Sequence, residues 1–398
     1  MLEQALQAAA ALPEGDPLAA ASALRAAGFP PDLAAAALTQ VALRRKAVTK
    51  FGADAAVMHF TRAGLEQATR GPVAARRAAR LAAAGATRVA DLGCGIGADT
   101  IAFARAGLRV HAVDASPETA ATASANVLAL GLAADVLVEA RDAMSVPLDE
   151  VDAVFCDPAR RTTGGRRVFD PRSYSPPWDF VVGLAARVPM TVLKLAPGID
   201  HALLPPGAEG EWVSVDGDVV EAAAWCGPLA AAPRRATLFQ SAPTGSAAAP
   251  SVVSLTGNGI TAAPVGHIGN FMYDPDGAVV RSHLVAEFAE TVDGMLADPT
   301  IAYVHTPTYV PTPFGRCYEV LDQLPIALKR LRTALRALDV GSLTILKRGS
   351  ALDVEELRRS LRLSGSRAAI IALTRVAGAP AVLLLSRVPD PGNAAPSQ

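Results

Sequence analysis

The sequence predicts an α/β fold: a mainly parallel sheet with crossover helices, preceded by a helical region and followed by a small α/β module. Three observations predict it. Residues 1–82 carry helical periodicity with start and stop signals. From Thr87 onward, short β-branched runs alternate with helical stretches. The tail reads as strand, helix, strand, strand.

Taken in order, DPLAAASALRAAG and PDLAAAALTQVALRRKAVTKFG each open on an acid or proline and close near glycine, as helices do. In HFTRAGLEQATRGPVAARRAAR, Thr69 is placed to cap a helix with Pro72 in its first turn. Arg76, Arg77 and Arg80 form a basic face there, expected to run toward a substrate edge. TRVADLG, LRVHAVD, ADVLVEARD, VDAVFCD and MTVLKLAPG are five strand candidates separated by helical stretches, the pattern of a parallel sheet. EWVSVDGDVVEAAAW and RRATLFQ are expected as closing antiparallel strands, ending that domain near residue 240. SAPTGSAAAPS reads as a linker. LDQLPIALKRLRTALRALD reads as a basic helix, SLTILKRG as a strand, LDVEELRRSLRLSG as a helix, and RAAIIALTRVAG with APAVLLLSRV as two strands.

Composition narrows the function. A formal net charge of -1 over 398 residues excludes a bulk basic protein but not local basic patches. The 4 cysteines form no C-x-x-C, so neither a disulfide framework nor a zinc knuckle is expected, and no metal is implied. The N-terminus lacks the basic segment of a secretory signal, and no uncharged run is long enough to span a bilayer. The expected compartment is the cytoplasm.

DLGCGIG, residues 91–97, follows one strand candidate and opens a helix. Gly93, Gly95 and Gly97 let the backbone turn tightly and approach a ligand. A sharp turn without a ligand is the bland alternative. Against it, Asp91, Asp114 and Asp142 stand at or just after three successive strand ends, where open α/β sheets bind ligands. A bare pyrophosphate would be repelled by Asp91, whereas a cationic aminocarboxylate and a sulfonium would be welcomed. The loop resembles the glycine motif of class I S-adenosylmethionine-dependent methyltransferases. That resemblance implies a Rossmann-like sheet, S-adenosyl-L-methionine as cofactor, and Asp91, Gly93, Cys94, Gly95 and Gly97 around its methionine end. It also implies Asp114 with Ala115 at the ribose, Asp142 with Ala143 at the adenine, and a leading lid with Gln67 and Thr69.

VFCDPARRTTGG places Asp157 and Pro158 at the fourth strand's end. Nucleic-acid amino-methyltransferases carry an acid or amide there, prolines and an aromatic. A carbonyl and a short polar side chain accept protons from the exocyclic amine and aim its lone pair at the methyl. Here Ala159 and Arg160 take the next places, so a stacking ring is missing from the motif; Tyr174 and Trp178 are the nearest candidates to supply it. Trp178 also reads as helix packing. Residues 158–172 hold five arginines against one aspartate, including Arg160, Arg161, Arg166 and Arg167, and read as a phosphate-reading loop. Lys194, ending the fifth strand, is either structural or an anion contact.

The chain as a whole resembles a bacterial family of class I methyltransferases with a THUMP-like C-terminal domain, through TKFG, GLEQATR, DLGCGIG, DPARR, KLAPGID, YDPDGAVVR and ILKRG. The resemblance implies a helical region at 1–82, a methyltransferase domain at 83–240, a ferredoxin-like region at 255–320 and a THUMP-like domain at 321–393. THUMP domains bind structured RNA, and residues 321–370 carry ten Lys or Arg against five acids. The reading is methyl transfer to a base nitrogen in tRNA or rRNA. A small-molecule or protein methyltransferase, and a non-catalytic RNA-binding scaffold, stay open as alternatives.

Overall fold

The computed structural model describes residues 1–13, 15–160, 174–241 and 250–388; most of the expected linker lies outside them. The described chain divides into two compact units, the first built mainly from residues 1–195.

In the first unit, α1 (Leu2–Ala10), α2 (Pro17–Ala26) and α3 (Pro31–Phe51) bury Leu6, Leu24, Ala37 and Val41 between them. Asp16 starts α2 by accepting from the N–H groups of Leu18 and Ala19, and prolines at the first turns of α2 and α3 suit positions that need no N–H donor. After α4 (Arg62–Gln67) and α5 (Gly71–Ala83) come β1 (Arg88–Leu92), α6 (Ala98–Arg105), β2 (Arg109–Asp114), α7 (Pro117–Ala129), β3 (Val136–Ala140) and β4 (Ala153–Cys156). The two-residue strands β5 (Ala159–Arg160) and β6 (Tyr174–Ser175) pair with each other, and α8 (Trp178–Arg187) and β7 (Met190–Leu195) follow.

The parallel strands run in the order β7-β4-β1-β2-β3. Beta-branched and small side chains make this possible: β1, β4 and β7 are covered on both faces, so Val89, Val154, Phe155 and Val192 are all buried. The order reverses between β1 and β4, and the crevice outside the carboxyl ends of these strands is where such sheets bind ligands. The architecture is Rossmann-like, as the strand-helix alternation predicts.

In the second unit, β8 (Glu209–Val215), β9 (Asp218–Trp225), β10 (Arg234–Gln240) and β11 (Ser251–Gly257) follow. The expected closing strands are not simply antiparallel. Strand β10 pairs parallel with β8 and antiparallel with β11, because the chain passes through β9 before returning beside β8.

A separate sheet then forms from β12 (Phe271–Pro275), β13 (Met295–Leu296), β14 (Val304–Thr306), β15 (Gly315–Leu324), β16 (Val340–Lys347), β17 (Arg367–Val376) and β18 (Ala379–Arg387), in the order β13-β14-β12-β15-β18-β17-β16. Helices α9 (Gly277–Arg281) and α10 (Val285–Thr291) lie between β12 and β13 in the chain; α11 (Leu328–Ala337) precedes β16 and α12 (Val354–Leu361) links it to β17. Strands β16 and β17 are parallel, so α12 is a true crossover. Leu331 and Leu335 of α11 and Leu357 and Leu361 of α12 pack on Leu343, Ile371 and Val382. LDQL, expected as the start of the basic helix, is instead the end of β15. Pro325 follows at once, and the helix begins three residues later. Among the described residues no helix is long and apolar enough to cross a membrane, and no cluster of three metal-ligating side chains occurs.

Candidate active site

Gly93, Gly95 and Gly97 all have positive φ, at +89°, +57° and +90°. At Gly93 the need for glycine is double: a Cβ there would lie 2.7 Å from the carbonyl oxygen of Asp157. The loop after β1 and the end of β4 therefore touch through a gap that admits no side chain. Above Gly95, by contrast, an added Cβ meets nothing within 4 Å among the described residues, which leaves an open cradle. The N–H groups of Gly93 and Cys94 both donate to the Val113 carbonyl and tie the loop to β2. Cys94 is buried, and burial with the charges of Asp91 and Asp114 pushes its thiol up, so it is an inert packing group.

Asp114 ends β2. Its carboxylate accepts from Gly95 N–H at 3.2 Å and Ser116 N–H at 2.9 Å, and partial burial raises its pKa above the usual carboxylate range. Ala115 beside it is exposed. Asp142 caps a single turn through Met144 N–H at 2.9 Å, with Ala143 buried beneath it. The Arg141 N–H donates to the Asp114 carbonyl, so the acids after β2 and β3 are neighbours. Asp114 and Asp142 thus stand at neighbouring strand ends, whereas the Asp91 side chain is fully buried.

Beneath this crevice lies a chain of charge that sequence reasoning missed. Lys194 Nζ donates to Asp157 Oδ2 at 2.6 Å and to Thr69 Oγ1 at 3.0 Å. Thr69 Oγ1 donates to Asp99 Oδ2 at 2.6 Å, and Asp99 pairs with Arg77, whose guanidinium lies over the Phe155 ring. Asp91, fully buried, accepts from Thr100 Oγ1. The carboxyl groups of Asp91, Asp99 and Asp157 share this set with the cations of Arg77 and Lys194. Burial first, then the charge of Asp99, pushes the Asp91 carboxyl up to about 8. Its Oδ1 is buried without a hydrogen-bond partner among the described residues. A cofactor bearing an ammonium fits this site on two counts: a cation beside the unpartnered Asp91 oxygen would draw that carboxyl to its ionised form, and the cradle over Gly95 is open.

Thr69 therefore does not cap α5: Arg70 is the N-cap and makes no side-chain cap bond. Gln67 is exposed at the end of α4. Lys50, from TKFG, fixes that segment by donating to the carbonyls of Leu65, Glu66 and Ala68. Burial, then the charges of Arg70 and Lys194, draw its ammonium down to about 8. Nor do the arginines of α5 form a free basic face. Arg77 is buried, and Arg80 stacks on Trp225 and donates to the Leu229 carbonyl.

At the expected substrate edge, Pro158 is buried and Asp157 is partly exposed. The β5–β6 pairing sets Tyr174 opposite Arg160 in register, and Tyr174 lies 5.5 Å from Trp178 between ring centroids. Both aromatics singled out from the sequence thus stand together, with Tyr174 directly across from the motif that lacks a ring. The side chain of Arg160, and Arg161, Arg166 and Arg167 entirely, lie outside the described residues. Lys194 pairs with Asp157, which accounts for it as an intramolecular partner.

The basic run of the C-terminal module is largely engaged within the module. Arg332 and Arg336 donate to the carbonyls of Ser360 and Arg362, closing the C-terminal end of α12. Arg358 donates to the Leu343 carbonyl and Lys347 to that of Leu352. Arg348, from ILKRG, forks onto Asp274 of YDPDGAVVR at 2.7 and 3.0 Å. Lys329 and Arg330 are exposed.

Residues 89–162 match the methyltransferase domain family, residues 315–387 the THUMP domain-like family, and residues 3–47 a domain family of unknown function. The chain is 37% identical over 344 residues to an S-adenosylmethionine-dependent methyltransferase of Mycobacterium tuberculosis, described as uncharacterized and found in strains CDC 1551 / Oshkosh and H37Rv. The match covers 84% of this chain and 90% of the relative. A crystal structure from Porphyromonas gingivalis W83, whose own description as a methyltransferase is provisional, superposes with a TM-score of 0.70 at 20% identity. It covers 97% of this chain and 98% of that one, a likeness of fold.

Proposed function

This chain belongs to the S-adenosylmethionine-dependent methyltransferases, and from that premise we propose that it methylates a base nitrogen in structured RNA, either tRNA or rRNA. The cofactor supplies an electrophilic methyl on a sulfonium. The residues that would hold it are the 91–97 loop with Asp114, Ala115, Asp142 and Ala143, under a lid containing Gln67 and Thr69.

One observation carries the choice of a nitrogen acceptor: the carbonyl of Asp157 lies against Gly93 of the cofactor loop, with the carboxylate of the same residue at the partly exposed end of β4. A backbone carbonyl and a short acid offer an amine two acceptors side by side. Accepting its protons fixes the lone pair toward the donor, and the barrier falls through orientation. Pro158 stiffens that turn. Tyr174, opposite Arg160 in register, is buried, and Trp178, partly exposed against it, is the ring of this pair that supports stacking of a flat base beside the motif. The proton lost from nitrogen passes to water, since the Asp157 carboxylate is already ion-paired with Lys194.

RNA as the substrate is supported by the THUMP domain-like match at 315–387 and by the arginine density of residues 158–172. The test is transfer of labelled methyl from S-adenosylmethionine to tRNA, rRNA, protein and small-molecule fractions. Label in RNA, recovered as an N-methylated nucleoside, is expected. Label confined to protein or small molecules overturns the RNA assignment.

A further inference from the structure

We propose that Lys194 is a positioning residue for methyl transfer, holding Asp157 in its acceptor geometry and coupling it to the cofactor lid. The inference rests on the reading above that Asp157 faces the acceptor.

The geometry begins with strand register. Cys156 of β4 sits beside Leu193 of β7, so the next residues, Asp157 just past the end of β4 and Lys194 still within β7, stand side by side. Lys194 is 13% exposed and Asp157 35%. An ammonium so nearly buried is costly unless it is paired and hydrogen-bonded. Both conditions are met, by Asp157 Oδ2 and Thr69 Oγ1. The pair is also graded: its lysine end is inside and its carboxylate end reaches solvent. With Oδ2 engaged by Lys194, Oδ1 is the oxygen left toward an acceptor, and the rotamer that presents it is fixed from behind.

The second partner gives the coupling. Thr69 lies between α4 and α5, in the segment expected to cover the cofactor, and it is anchored to Asp99 and through it to Arg77. A single ammonium therefore touches the lid segment on one side and the substrate acid on the other. Displacement of the lid would move a ligand of Lys194, and hence the carboxylate. Asp99, in the first turn of the helix after the glycine loop, completes the path from cofactor loop to β4. Lys194 touches no reacting atom in this scheme. Its effect is exerted through Asp157, which distinguishes positioning from catalysis.

Among the described residues, Lys194 from β7 pairs with the Asp157 carboxylate, and Asp91 from β1 acts on it as a like charge. Removing Lys194 takes away the paired cation and leaves that like charge in place. Such a carboxylate is harder to ionise, so its titration moves to higher pH. A packing role for Lys194 would change stability without that displacement.

The experiment uses the full chain with [γ-13C]aspartate, the Asp157 signal being assigned by its loss in Asp157→Asn. In Lys194→Met that signal is expected to titrate at a pH at least one unit higher than in wild type, with Lys194→Arg in between. Binding of S-adenosylhomocysteine, measured by calorimetry, should change less than threefold. On whichever fraction the wild type labels, the single-turnover rate of Lys194→Met should fall at least tenfold. The acid limb of its pH–rate profile should shift upward, and Lys194→Arg should recover part of the rate. Thr69→Val supplies a second approach, expected to lower the rate with a smaller shift of the carboxyl signal. An unshifted Asp157 titration in a folded Lys194→Met protein overturns the proposal, as does a rate loss matched by equal loss of cofactor affinity. If the wild type labels protein and not RNA, the functional reading fails while the carboxyl titration still decides this one.

Discussion

At the β4 edge of the Rossmann-like unit and in the C-terminal module, buried and half-buried cations meet different acceptors, although Lys50 and Arg80 of the first unit also serve carbonyls. In the first, Arg77 and Lys194 face carboxylates, and the pairs end at the edge where β4 meets the cofactor loop. In the second, Arg332, Arg336 and Arg358 face backbone carbonyls and close helix and strand ends, while Arg348 forks onto Asp274. The sequence shows arginine in both, more densely in the C-terminal module. What separates chemistry from architecture is the acceptor. A cation on a carbonyl satisfies one orphan helix end, whereas a cation on an acid sets that acid's charge and direction.

Breaking the first region should cost most at Asp157. Asp157→Ala is expected to slow the chemical step by about 10²-fold or more, with S-adenosylhomocysteine affinity nearly unchanged. Single-turnover rates beside cofactor titration check this. A folded variant at the wild-type rate would return DPARR to architecture.

Next is Asp114, whose carboxylate has two loop N–H partners as well as its expected ribose contacts. Asp114→Ala should weaken S-adenosylhomocysteine binding by about 1.5–3 kcal/mol, read by calorimetry, with little change in melting temperature if the glycine loop relaxes locally.

Asp91 sharpens the comparison through pH. Its folded carboxyl titrates near 8 against an ordinary value of about 3.9. Between those values the folded state binds the extra proton, so the residue's contribution favours folding below about 4 and is lost as pH rises through 8. Ligand-free protein should therefore melt progressively lower across that window, and Asp91→Asn should flatten the trend. A trend unchanged by the substitution would assign the pH dependence to other groups.

The smallest effects are expected in the C-terminal module, where they divide by acceptor. Arg332→Ala and Arg336→Ala should each lower stability by about 0.5–1.5 kcal/mol and leave the salt dependence of RNA binding unaltered. Lys329→Gln with Arg330→Gln should do the reverse, leaving the melt alone and flattening the salt slope by about 0.7–0.9 for each phosphate no longer neutralised. Thermal melts and a salt series on all four separate the two classes. Equal salt slopes throughout would remove this helix from the RNA surface.

The strand, loop and helix frame proposed to hold the cofactor was legible because its determinants are local. A glycine loop between strand and helix, with acids at successive strand ends, is written in short stretches whose spacing fixes their geometry. Asp99 was not legible. It reads as an ordinary acid in the first turn of α6, and only long-range packing brings it to Arg77 and Thr69. The same holds for the arginines of α5, whose basic pattern suggested an open face although Arg77 is buried over Phe155 and Arg80 is seated on Trp225. LDQL was misassigned because leucine spacing suits helix and strand alike; Pro325 was the signal that separates them. The parallel pairing of β8 with β10 depends on where an intervening strand returns, which no local pattern records.

The contact between Gly93 and the Asp157 carbonyl has a bearing on redesign. An engineer wishing to change the acceptor would look first to the β4 edge, and one wishing to change the cofactor analogue would look to the glycine loop. Those two surfaces share one seam, 2.7 Å wide to a hypothetical Cβ. Libraries at 159 and 160 can vary side chains without disturbing it, but a graft that re-routes the backbone at 157 must carry a matching loop from the same donor. Recombination between distant relatives should accordingly tolerate crossovers after Pro158 better than crossovers between Gly97 and Asp157.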